Sequence, residues 1–139
     1  MTDTRNSAIA ALVLRVALGT MFIAHALLKY FVFTLPGTAE FFASLGLPGV
    51  LAYATFAAEL VGGVLLLLGL QTRIVALALV PILLGATWAH AGNGWLFTAP
   101  NGGWEYPAFW TITLIVQALL GDGAYALRPS RPEPAGQAA

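Results

Sequence analysis

Four stretches of this 139-residue chain are apolar over close to the length a helix needs to cross a bilayer, about 20 residues. They run over about Ser7–Phe31, Val50–Leu70, Thr72–Ala91 and Glu105–Leu120, the last being short. Inside hydrocarbon every backbone polar group must find its partner within the chain, so stretches like these can only be helices. Only 9% of the residues are charged, against about 25% in a soluble domain. The expected fold is therefore all-α: a four-transmembrane-helix bundle of one domain, residues 1–127, followed by a Pro-rich disordered cytoplasmic tail, 128–139.

Smaller signals punctuate this plan. Arg5 before an apolar run and Ala24-His25-Ala26 mimic a signal peptide, but Arg15 interrupts the run, so it reads as a retained first helix. Ser7 or Asn6 could cap it. Between the first two spans, Thr38 to Gly46 reads as a short interfacial helix capped by Thr38, with Phe41, Phe42 and Leu45 on its apolar side. Pro81 predicts a kink in the third span. Pro107 suits the first turn of the fourth, where its missing N–H is not needed. Gly-rich pieces flank Trp95-Leu96-Phe97 in the loop before it. Four spans put Arg5, Arg73, Arg128 and Arg131 on one side, which makes both termini cytoplasmic and the protein a multi-pass protein of the inner membrane. Trp88, Trp95 and Trp104 then gather at the outer end.

Zero formal net charge excludes a nucleic-acid footprint, and the lack of Cys excludes thiol redox chemistry by the chain itself. The informative residues are the ionisable ones inside the apolar stretches: Arg15, His25, Lys29 and Glu59, with His90 closing the third. A charge in mid-bilayer costs roughly 2.5–3.5 kcal/mol on insertion scales, so each needs a partner or a polar cavity. Counting along the helices puts Arg15 and Glu59 at matched depth, which predicts an intramembrane ion pair. Gly62 and Gly63 lie one turn beyond Glu59, where small residues let a neighbouring backbone approach. His25 and Lys29 share a face and lie toward the outer side with His90, Trp104 and Glu105. Those five residues form a candidate ligand pocket, in which His, Lys and Glu could bond carbonyl oxygens and aromatics could sandwich a quinone-like ring. The simpler reading makes Lys29 a snorkelling side chain and each His an interfacial one. Two His at equal depth could also hold haem or a metal, but no Glu-x-x-His spacing supports a di-iron carboxylate site. Thr113 and Gln117 share a face of the fourth span and turn toward the bundle.

Arg15-Val16-Ala17-Leu18-Gly19 with His25 and Lys29, then Phe41-Phe42-Ala43-Ser44-Leu45-Gly46-Leu47-Pro48, resembles the first helix and loop of the DoxX family of small membrane proteins. Glu59-Leu60-Val61-Gly62-Gly63 through Leu68-Gly69-Leu70-Gln71-Thr72-Arg73 is similar to its second helix and turn. Trp104-Glu105-Tyr106-Pro107 and Gly121-Asp122-Gly123-Ala124-Tyr125 resemble the boundaries of its fourth helix. The chain departs at Ala26, where members often carry Gly, and at Tyr125-Ala126-Leu127-Arg128, where they often end in a Tyr-Ser-Leu-Asp-like run. The resemblance implies a four-helix membrane bundle. It also implies work beside quinone-linked oxidation or oxidative-stress systems, as a subunit with a redox-enzyme partner. A non-enzymatic anchor, a homo-oligomer or a small transporter using Glu59 as a proton relay are the competing expectations.

Overall fold

The computed structural model describes residues 2–130. Helix α1 spans Thr2–Leu27 and runs on through a π-helical turn, Leu28–Val32, closed by Phe33 N–H donating to Leu28 O. Helix α2 is Leu35–Ser44, α3 Val50–Leu68, α4 Thr72–His90 and α5 Glu105–Leu120. Three helical segments are long and apolar enough to cross a membrane: 3–32, 50–68 and 72–93. Helix α5 has 16 residues, or about 24 Å of rise. No strand forms among the described residues; a single parallel bridge joins Leu70 to Arg128.

Glycine at the turns and close contacts sets this arrangement. Gly69 takes a left-handed conformation (φ 68°), and Leu70 N–H reaches back to Leu65 O, which ends α3 and starts the tight turn into α4. A Cβ on Gly63 would lie 2.9 Å from Gly19 O, and one on Gly19 would lie 2.8 Å from Gly63 O. Here the backbones of α1 and α3 touch. Gly62 instead faces α4, where a Cβ would meet Leu79 at 2.9 Å. The two adjacent glycines thus serve two neighbours, as small residues do where no hydrophobic drive holds helices together in lipid.

Each of α1, α3, α4 and α5 runs antiparallel to two others, α1 and α4 each contacting both α3 and α5. Between them lies an apolar core of Leu18, Phe22, Leu66, Ala76, Leu79, Leu83 and Leu114. The bands Val13-Val16, Val61-Val64, Ile74-Leu77 and Ile112-Ile115-Leu119 are exposed, the surface a bilayer would cover.

Three boundaries differ from the sequence reading. Helix α1 begins at Thr2, so Asn6 and Ser7 lie inside it and do not cap it; the Ser7 hydroxyl donates to Asp3 O. The cap of α2 is Thr34 (φ 63°), whose Oγ1 accepts from Gly37 N–H at 3.1 Å; Thr38 lies a turn inside the helix, buried, its hydroxyl donating to Thr34 O. The early start follows from Pro36, which is tolerated in a first turn. The expected tail does not begin at Arg128. Leu127 N–H donates to Leu68 O, Arg128 N–H to Gly69 O, and Gln71 N–H to Arg128 O. Residues 121–130 therefore form a strap across the ends of the helices. The rest of the expected tail, from Arg131, lies outside the described residues.

Candidate functional site

Glu59 is the carboxylate buried at the centre of α3, with its side chain only 7% exposed. Its partner is Lys29, whose Nζ donates to Oε2 at 2.8 Å and to Oε1 at 3.1 Å. Lys29 stands in the π-helical turn, a wider turn that often marks functional positions in helices.

The expected Arg15–Glu59 pair does not form. The Gly19–Gly63 contact sets the register between α1 and α3. It places Glu59 level with Ile23 and Arg15 level with Leu67, two turns or about 12 Å apart. Arg15 instead caps a helix end. Its Nη1 donates to Leu66 O (3.1 Å) and Leu67 O (3.2 Å) in the last turn of α3, and its Nη2 to Ala124 O (2.9 Å) in the strap. The negative end of the helix dipole stabilises a guanidinium there. Arg73 does the same for α5, donating to Ala118 O and Leu119 O.

The strap end is closed by Asp122. Its Oδ1 accepts from Thr72 N–H at the start of α4 and from Ser130 Oγ–H, and its Oδ2 accepts from Ser130 N–H. Burial alone would raise its carboxyl, but the bonds from Ser130 and Thr72 outweigh that and hold it below the ordinary carboxylate value.

At the other end the five expected pocket residues fall into three groups. His25 leans edge-on against Trp110, ring centroids 4.7 Å apart, beside the Lys29–Glu59 pair on the same face of α1. Its Nδ1 lies 2.9 Å from Met21 O, so Nδ1 carries the proton and Nε2 is left as an acceptor in the neutral ring. His90 holds Ala86 O through Nδ1, and its Nε2 lies 3.1 Å from the Tyr106 hydroxyl. Trp104 packs edge-on against Trp95, and Glu105 accepts from Phe97 N–H, so both organise the aromatic loop. Among the described residues no group of three potential metal ligands comes together.

Two residues in this region were missed from sequence, Tyr106 and Trp110. They are four apart on α5, hence on one face, and each meets one of the two histidines. Trp110 is buried, and its Nε1–H has no hydrogen-bond partner among the described residues. The signal was available: a Trp inside the fourth apolar stretch brings a polar N–H into an apolar layer.

Fold and site together define a helical integral-membrane protein with a buried ion pair and a His–Trp cluster at one end. The family model for DoxX matches residues 10–92, and the chain belongs to the DoxX family. It is also 39% identical over 122 residues to "Putative oxidoreductase CatD" of Bacillus subtilis (strain 168), covering 87% of this chain and 86% of the relative. No solved structure matches the chain.

Proposed function

We propose that this chain is a membrane subunit of an oxidoreductase of the inner membrane, crossing it four times with the strap end in the cytoplasm. In this reading the cluster of His25, Trp110, Lys29 and Glu59 receives the head group of a quinone. The name of the Bacillus relative, with which the alignment is nearly end to end, supports a redox setting. The placement of Arg5, Arg73 and Arg128 at the strap end supports the orientation, and exposed Trp88 and Trp95 at the other end suit an outer interface.

The observation that carries the ligand is the orphaned Nε1–H of Trp110 beside His25. A buried donor left unpaired costs about 1–3 kcal/mol, and such a group calls for an explanation. Trp110 would donate to a head-group oxygen, and His25 Nε2 would accept from that same oxygen when it carries a proton. One donor and one acceptor thus suit both the oxidised and the reduced form. A quinone supplies two-electron, two-proton chemistry when bound. Lys29 and Glu59 satisfy each other and keep a fixed polar wall beside it. The chain has no Cys, so the electrons come from a partner or another cofactor.

Solvent extraction of the protein purified from its own membranes tests this reading. Extractable quinone should accompany the wild type and fall in His25→Ala. Absence of quinone together with no response to added quinone would remove it.

A further inference from the structure

Three side chains at the strap end, each at most 1% exposed, carry polar atoms without a partner: Arg15 Nε–H on α1, Thr72 Oγ1 on α4 and Gln117 Oε1 on α5. They surround one turn of the strap. Gln117 Nε2 donates to Gly121 O and to Ala11 O, one helical turn before Arg15. Thr72 N–H bonds Asp122, and Arg15 bonds Ala124 O.

The three atoms are complementary to one kind of ligand. Arg15 Nε offers a donor, Gln117 Oε1 an acceptor, and the Thr72 hydroxyl either. A cation would face Arg15. An anion would face the Gln117 oxygen and the Asp122 carboxylate. A small neutral molecule that both donates and accepts fits, and buried water typically makes about three such bonds to otherwise unpaired groups. A groove of about 420 Å³ runs between the start of α1 and the end of α5, lined by Asp3, Ser7, Ala8, Ala11, Leu120 and Gly123. Ala11, which lines it, accepts from Gln117 Nε2 through its carbonyl, and Gly123 packs against Ala11 and Leu12.

We propose that the strap end holds a buried water-binding site bridging Arg15 Nε, Gln117 Oε1 and Thr72 Oγ1, supplied through this groove. It hydrates the guanidinium that closes α3 behind the strap. The layer of Leu18, Phe22, Leu66, Leu79 and Leu114 separates it from the His25–Trp110 cluster.

A map resolving ordered water tests the site. Density within hydrogen-bonding distance of both Arg15 Nε and Gln117 Oε1 is expected in the wild type and not in Gln117→Leu. The three atoms bonded directly to protein groups, or no density between them, would overturn it. The route is tested separately, in a chain free of native Cys. Only the thiolate reacts with a water-soluble thiosulfonate, so Ala8→Cys should label at least about ten-fold faster than lipid-facing Ile112→Cys. Equal rates would overturn the inlet.

Discussion

The Lys29–Glu59 pair makes an asymmetric prediction. Lys29→Met leaves a carboxylate that is 7% exposed and has lost both of its hydrogen bonds. Removing one partner of a buried pair costs about 3–5 kcal/mol, and nothing in the α3 centre lets Glu59 reach water. Glu59→Gln leaves the ammonium instead. Lys29 is 16% exposed, stands near the end of its helical segment, and has a four-carbon stem that can carry its charge outward. Its loss should be closer to one or two hydrogen bonds, about 1–2 kcal/mol. The double variant Lys29→Met/Glu59→Gln removes both charges and should be less damaged than Lys29→Met alone. Thermal unfolding in detergent, followed by circular dichroism, measures all four proteins. A parallel cycle on Arg15→Gln and Glu59→Gln should be additive to within about 0.5 kcal/mol, since the two residues share no partner. A Glu59→Gln cost as large as that of Lys29→Met, or a stronger coupling of Arg15 than of Lys29 to Glu59, would refute this pairing.

Further outcomes follow from other contacts. Gly63→Ala should cost more than Gly62→Ala. The first pushes a Cβ against the Gly19 backbone and the second against the movable tip of Leu79, and overpacking costs about 1–3 kcal/mol; equal melting temperatures would contradict this. The Asp122 carboxyl titrates lower folded than its ordinary 3.8, so its contribution is complete above that value and is lost as pH falls through the folded one. Asp122→Asn should therefore lower stability at neutral pH by about 0.5–2 kcal/mol, the worth of a helix cap, and flatten the acid limb of the melting curve. An acid limb identical to the wild type's would count against the strap.

The helices themselves were legible because apolar length is a one-dimensional property. So were the turn at Gly69 and the helix start before Pro107, each set by a residue whose backbone has few choices. The partner of Glu59 was not legible. Depth counted from an assumed helix start misplaces a side chain by a turn for every four residues of error, and α1 begins at Thr2 instead of Ser7. The true register comes from Gly19 meeting Gly63, a contact between two helices that no count along one helix contains. The π-helical turn then brings Lys29 to the carboxylate. The strap escaped notice for a similar reason: Thr72 lies 50 residues from Asp122, and Arg128 reads as tail until Gly69 is seen beside it. Of the expected pocket, His25 and Lys29 keep common company, whereas Trp104 and Glu105 serve the loop and His90 pairs with Tyr106. Trp110 was the unread residue, and its N–H was the informative atom.

In the proposed function Trp110 and His25 hold a quinone head group within the membrane. Native mass spectrometry of the protein purified from its own membranes measures this directly. A quinone-mass adduct on the wild type that is lost in the still-folded Trp110→Phe variant is the predicted result. A wild type without any such adduct, or an adduct retained unchanged in Trp110→Phe, would contradict the account.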